Sequence, residues 1–391
     1  MKQLLHTILF IIILLSRLHT FAQNPKVIDI IAGMNCPGNL KLADITDEIM
    51  YVPLETTNEN LINNIDKVKF SDEYIFIKNL NPAKLYLFNR SGKYIRQIGH
   101  KGNGPNEYNT LSGFCFNEAD KTIYIYASSP AKILIYDIGG RFLEKIDCPD
   151  YHTQPFFDME FIQPDRLLMM LCNVNGNTQF SYKIFTTEFK LIQSDIRPVQ
   201  FSSRNYFSTI NEFSCYHFNN SLFVKENILN DTLYQISADN SFIPKLVFNS
   251  GKYECPARFR QEFMEFVKRK DFKYILMNHI IETKEYWLYN YSFNKDEHFD
   301  YYDKSLNKSF SFISTGIPNN YDNGPSFVPL RQKNNELIGV IYSMDLIQHM
   351  YSDDFRNSIP KYPEKKKNFH EFVSSLNEND NPVLILVKLK E

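Results

Sequence analysis

Apolar and polar residues alternate with a period of two along most of this chain, in short runs broken by Asp, Asn and Gly, the pattern of half-buried β-strands joined by tight turns. The pattern repeats itself. Residues 75–98 lie on residues 123–146 at a constant offset of 48, without a gap. Pro82-Ala83-Lys84 returns as Pro130-Ala131-Lys132, Leu85-Tyr86-Leu87-Phe88-Asn89 as Ile133-Leu134-Ile135-Tyr136-Asp137, and Ser91-Gly92-Lys93-Tyr94-Ile95 as Gly139-Gly140-Arg141-Phe142-Leu143. The first copy predicts four strands, at 66–70, 74–78, 84–89 and 94–98, rich in aromatic and β-branched residues that suit a pleated surface. A period in the forties built from four short strands is that of a propeller blade.

The third strand of each unit, an apolar triplet running into a turn residue, serves as a marker. It recurs at Tyr182-Lys183-Ile184-Phe185-Thr186, at Thr232-Leu233-Tyr234-Gln235-Ile236-Ser237, at Phe299-Asp300-Tyr301-Tyr302-Asp303 and at Pro382-Val383-Leu384-Ile385-Leu386-Val387. With the two strong copies this predicts six blades. The last marker has no fourth strand after it, whereas an orphan strand, Ile49-Met50-Tyr51-Val52-Pro53-Leu54, precedes the first blade. The N-terminal strand is therefore expected to complete the last blade, which closes the ring and removes an exposed edge. The expected fold is all-β, a six-bladed β-propeller forming one domain over residues 23–391. Two stretches break the rhythm with apolar residues at helical spacing, near 256–273 (Phe259, Phe263, Phe266, Val267) and 344–376 (Phe369, Phe372, Val373, Leu376). Both fall in connections that emerge on the same face of the disc, so the two helical insertions should share it.

Residues 1–22 read as a signal peptide: Lys2, the unbroken apolar run from Ile8 to Leu15, and Thr20-Phe21-Ala22 before Gln23. The run is too short to span a bilayer, and the C-terminal apolar stretch at 383–389 is shorter still. The chain is expected to be periplasmic or secreted after cleavage near Ala22, without a lipid anchor, because its first Cys, Cys36, lies well downstream. The formal charge of −2 excludes a basic nucleic-acid surface, and Lys365-Lys366-Lys367 reads as a solvated helix face. Of six cysteines, Cys115, Cys172 and Cys215 sit in apolar runs and read as small buried hydrophobes. Cys36, Cys148 and Cys255 each precede a proline, and any disulfide is expected among those three.

Signals for chemistry are sparse. Gly99-His100-Lys101-Gly102-Asn103-Gly104-Pro105-Asn106-Glu107-Tyr108 is the densest polar loop. It lacks phosphate-loop order and precedes a strand. It reads as a tight crossover whose glycines take positive φ and which Glu107 or Tyr108 pins by hydrogen bonds, echoed by Asn323-Gly324-Pro325-Ser326. There is no GxSxG, no HExxH or other His pairing, no calcium loop and no zinc spacing. No catalytic residue, metal site or cofactor is assigned. Candidate ligand-binding residues are His100, Lys101, Glu107, Tyr108, His152, Arg204, Tyr206, Tyr321 and Asp322, of which Tyr108, Tyr206 and Tyr321 lie in predicted inter-blade loops beside polar neighbours.

Several segments carry a resemblance: Tyr51-Val52-Pro53-Leu54-Glu55-Thr56, Phe88-Asn89-Arg90-Ser91-Gly92-Lys93-Tyr94-Ile95, Gly102-Asn103-Gly104-Pro105-Asn106-Glu107-Tyr108 and Asn381-Pro382-Val383-Leu384. Together with the exported start they resemble the six-bladed β-propeller proteins of Bacteroidetes, related in architecture to NHL-repeat and TolB-like propellers. The resemblance covers the chain after the leader and is strongest over 51–146. It implies envelope or glycan-uptake roles without a general activity, and many of its members carry the lipoprotein Cys that this chain lacks. Two functions follow as expectations. One is a monomeric, non-catalytic binding or scaffolding propeller holding a protein or glycan on the loop and insertion face. The other is a lyase, lactonase or glycosidase whose residues converge on the central channel. Three or more His, Asp or Glu side chains directed at one point of the channel would favour the enzyme.

Overall fold

The structure is a computed structural model and describes residues 24–151, 156–202, 211–259 and 273–390. The turn chemistry of the repeat explains why its strands pair in fixed register. Asn89 accepts hydrogen bonds from the Ser91 and Lys93 amides at 3.0 and 2.9 Å, and Gly92 takes φ +82°. One repeat later Asp137 accepts from the Arg141 amide at 2.9 Å and Gly140 takes φ +78°. An Asx side chain closing the turn and a glycine supplying positive φ are what a tight hairpin needs. Each therefore sets the third and fourth strands of its blade antiparallel.

Six four-stranded antiparallel blades result, a six-bladed β-propeller as the repeat predicted. Blades 1 to 5 span residues 65–98, 113–147, 156–195, 213–249 and 276–311. Blade 6 takes three strands from the C-terminal part, Arg331–Lys333, Glu336–Ile341 and Val383–Leu389, and its fourth from the N-terminal side, Thr46–Pro53. The closure is held beyond the strand ladder by Asn381. Its side chain accepts from the Ile62 amide at 2.8 Å and donates to the Glu55 and Asn60 carbonyls at 2.9 and 3.0 Å.

The core is divided the same way. Six hydrophobic clusters lie between neighbouring blades, from Phe76, Leu87, Phe114 and Ile125 between blades 1 and 2 to Val52, Ile77, Phe88 and Leu386 between blades 6 and 1. The inner strands are thus covered on both faces, while outer strands such as Phe142–Asp147 and Leu191–Asp195 stay partly exposed, and the packing between blades accounts for the abundance of Phe and Tyr.

The insertion predicted at 344–376 is helical: Ser343–Met350, Asp353–Asn357 and Pro363–Ser374. Leu346, Phe355, Phe369 and Val373 bury their shared apolar face beside Val383 and Tyr51. Of the insertion predicted at 256–273, the described part holds one 3-10 turn, Ala257–Phe259; residues 260–272 lie outside the described residues, as does the leader.

Three features depart from the expectations. Strand Lys26–Asp29 adds parallel to the outer strand of blade 4 as a fifth strand, where no repeat signal exists. No disulfide joins the described cysteines. In the polar loop only Gly99 takes a positive φ. Gly102 is required for a different reason: a Cβ there would sit 2.0 Å from the Glu107 carboxylate, which accepts from the Gly104 amide at 2.8 Å. A larger residue there would push the Glu107 carboxylate off the Gly104 amide, so the glycine serves close approach and not backbone handedness.

Candidate functional site

The innermost strand of each blade faces the axis, and its alternating positions line the central channel. In three blades those positions carry charge at i and i+2: Lys67 and Lys69, Asp158 and Glu160, Arg331 and Lys333. The fold brings them together. Asp158, 4 % exposed, is the hub. Its carboxylate lies 3.1 Å from Lys67 Nζ, 3.3 Å from Lys69 Nζ and 3.6 Å from an Arg331 guanidinium nitrogen, and it accepts from the Met159 amide at 2.9 Å. Lys69 also pairs with Glu160 at 3.1 Å and donates to the Met159 carbonyl at 2.6 Å. The two lysines thus reach from blade 1 to blade 3 past blade 2. Gly113 of blade 2 makes room for this, since a Cβ there would meet the Asp158 Cα at 3.0 Å.

This cluster divides the channel into two cavities of about 310 Å³ each. The lower one lies at the hairpin-turn face, with Phe70, Phe116, His217 and Lys333 in its wall. Lys333 is held there by Asp72 at 2.9 Å and Glu118 at 2.6 Å. A backbone bridge between His217 and Lys333 joins the innermost strands of blades 4 and 6 directly. The upper cavity opens on the face that carries the helical insertion, and its wall includes Lys67, Phe157, Phe213, His279, Arg331 and Tyr342. Beside it Lys78 pairs with Asp66 at 2.6 Å and donates to the Ser112 carbonyl at 2.7 Å.

Burial decides how these groups titrate. It raises the cost of charge on Asp158, but Lys67, Lys69 and Arg331 outweigh it and hold the carboxyl well below the usual range. Burial also opposes charge on Lys69, which Asp158 and Glu160 nevertheless hold protonated. Lys67 is different: burial lowers it to about 8, with Asp158 opposing and Lys78 and Lys69 assisting. Burial and the Arg331 charge push His279 down to about 4, and burial lowers His217, so neither carries a proton near neutrality. Burial pushes the Cys115 and Cys215 thiols up. Raised thiols are poor nucleophiles. No group of three or more His, Cys, Asp or Glu side chains poised to hold a metal ion occurs among the described residues.

The residues predicted from the loops are dispersed. His100 and Lys101 are exposed on the rim, and Glu107 serves its own loop. Tyr108 is fully buried between blades 1 and 2, because its ring fills that interface. Tyr321, 4 % exposed, donates to the Asp47 carbonyl at 2.9 Å and packs on Tyr362 with ring centroids 4.8 Å apart. Asp322 accepts from the Tyr51 hydroxyl at 3.2 Å and the Gly324 amide at 2.8 Å. Both tie the connection between blades 5 and 6 to the N-terminal strand of blade 6, and Tyr321 also to the insertion. His152, Arg204 and Tyr206 lie outside the described residues. Sequence reasoning missed the axial residues. The signal that finds them is the i, i+2 pair of charges inside a strand otherwise built for burial.

Comparison with known proteins places this architecture. The domain described as "Domain of unknown function (DUF4934)" matches residues 25–388. The chain belongs to the DUF4934 family. Among solved structures, this DUF4934 chain is similar to a "putative exported protein" of Bacteroides fragilis NCTC 9343, with 18 % identity, a TM-score of 0.68, and 94 % of this chain and 100 % of that one covered. A member of the DUF4221 family from Bacteroides vulgatus ATCC 8482 matches with 10 % identity, a TM-score of 0.53, and coverage of 88 % and 98 %. At these identities the likeness is one of fold. No curated protein matches the chain. No helix among the described residues is long and apolar enough to cross a membrane.

Proposed function

We propose that this DUF4934 protein is an exported, non-catalytic binding propeller whose ligand or partner is held on the face bearing the upper channel opening and the helical insertion. The observation that carries the reading is the state of the axial charges. Among the described residues, the carboxylates of the hub are committed to lysine or arginine partners within 3.6 Å, burial lowers His279 to about 4 and moves His217 down as well, and burial raises the Cys115 and Cys215 thiols. General acid–base or nucleophilic chemistry needs a group poised to exchange a proton near the operating pH beside a nucleophile; Lys67, the axial group lowered to about 8, is instead tied to Asp158 at 3.1 Å and the Phe157 carbonyl at 3.2 Å. A locked ion-pair hub on a rigid ring suits recognition instead. Export is supported by the leader-like residues 1–22 and by the name of the Bacteroides fragilis neighbour.

The test is to expose the immobilised chain to an envelope extract, elute what is retained, identify it by mass spectrometry, and then incubate each retained compound with the free chain. Recovery of an unchanged, saturably bound compound is the expected result. Conversion of any retained compound into a product overturns the reading in favour of a propeller enzyme.

A further inference from the structure

The hub and the upper cavity together hold one more side-chain cation than carboxylate. Around them stand four side-chain cations, Lys67, Lys69, Lys78 and Arg331, against three carboxylates, Asp66, Asp158 and Glu160. Taking the pairs by distance, Asp66 serves Lys78, Glu160 serves Lys69, and Asp158 is left to Lys67 and Arg331 together. His279 adds no positive charge near neutrality, and the solvated Asp72 and Glu118 at the other mouth are engaged by Lys333. An uncompensated charge in a low-dielectric interior is costly; burial first, and the neighbouring Lys78 and Lys69 after it, lower the affinity of Lys67 for its proton.

The two cations that share Asp158 both have capacity left for a ligand. Lys67 Nζ donates to the Phe157 carbonyl at 3.2 Å. Arg331 has one side-chain hydrogen bond among the described residues, to the Cys215 carbonyl at 3.2 Å, and its contact with Asp158 at 3.6 Å is an ion pair beyond hydrogen-bond length. Arginine presents five N–H donors in a fork that fits a carboxylate. Asp66, Asp158, Asn211 and His279 also line the wall, and its apolar part is Ile65, Val68, Phe157, Phe213, Leu330 and Val340. Tyr342, 41 % exposed, stands at the rim where the insertion begins.

We infer that the upper cavity is a binding site for a small monocarboxylate with a ring or hydrocarbon body, its carboxylate between Lys67 and Arg331 and its body against Phe157, Phe213 and Tyr342. One negative charge completes the balance, and a second would exceed it. A cavity of about 310 Å³ admits a molecule of the size of an aromatic acid or a single uronic acid. The site rests on the binding reading above and gives it a ligand class.

The experiment is titration calorimetry of the whole chain at pH 8 with benzoate and glucuronate, whose two bodies distinguish an aromatic source from a sugar source. Benzamide and glucose serve as neutral counterparts, and phthalate as a dianion. At least one monocarboxylate should bind, more than tenfold tighter than its neutral counterpart and than phthalate. Binding should take up protons, read from heats in buffers of different ionisation enthalpy, because the ligand returns Lys67 to its charged form. Lys67→Met should abolish the proton uptake and weaken binding at least tenfold. Arg331→Gln provides a second variant should Lys67→Met fail to fold. Absence of binding by both monocarboxylates to the folded chain, or binding without proton uptake that neither variant alters, overturns the proposal. Those results leave the non-catalytic reading standing, since that reading falls only if a retained compound is converted.

Discussion

Replacing Asp158 by Asn keeps the shape of the hub and removes its charge. Lys67, Lys69 and Arg331, all within 3.6 Å of that carboxylate, then face one another with Glu160, paired with Lys69, and Asp66, paired with Lys78, as the nearby carboxylates. Removing one partner of a buried ion pair costs about 3–5 kcal/mol. For a chain of this length the entropy of unfolding makes 4 kcal/mol equivalent to a fall of about 5 °C in Tm. The loss should be pH-dependent in two ways. Because the folded state holds Asp158 below its ordinary 3.8, its contribution is present above that value and is lost as pH falls; the wild-type chain should show this acid step and the variant should not. Lys67, lowered to about 8 in the folded chain, should fall further without Asp158 and shed its proton, so the deficit should narrow between pH 7 and pH 9. Calorimetric melts of the wild type, Asp158→Asn, Lys67→Met and the double variant at these pH values measure all three effects. The double variant should regain about half the loss, since it removes the surplus cation along with the anion. A fall of less than 1 °C at pH 7, or a loss that Lys67→Met leaves unchanged, would refute the hub.

Three further outcomes are expected. Burial pushes Asp300 up to about 7 although the Tyr291 hydroxyl donates to it at 3.0 Å; a raised carboxyl contributes stability below its unfolded value and loses it as pH rises through the folded one. Asp300→Asn should therefore stabilise the chain by at most about 4 kcal/mol above pH 7 and by nothing near pH 4, in melts at the two pH values. Gly92→Ala forces a Cβ to 2.1 Å from the Pro53 carbonyl at φ +82° and should cost roughly 2 kcal/mol or more in denaturant titrations. Asn381→Ala strips three backbone groups of their partner at the ring closure, at roughly 1 kcal/mol each. Hydrogen exchange should then quicken in Thr46–Pro53 and Val383–Leu389 before the other blades, and a uniform change would count against a closure held by Asn381.

What the chain determines by itself is the ring. The 48-residue offset, the Asx-and-glycine turns at Asn89 and Asp137, and the orphan strand at Tyr51 are local or periodic, and a blade is a local unit whose strands pair with their neighbours in sequence. The number of blades, the closure and the insertion at 344–376 follow from such patterns. Strand Lys26–Asp29 does not, because its partner is more than 200 residues away and it belongs to no repeat. The site is the extreme case. Lys67, Asp158 and Arg331 come from three blades, and each alone is an ordinary charge in a strand. Tyr108, Tyr321 and Asp322 looked available because they stand in polar loops, yet the tertiary packing buries them. Only closure of the ring turns the inner strands toward a common axis, and only the low dielectric there makes the balance of their charges matter.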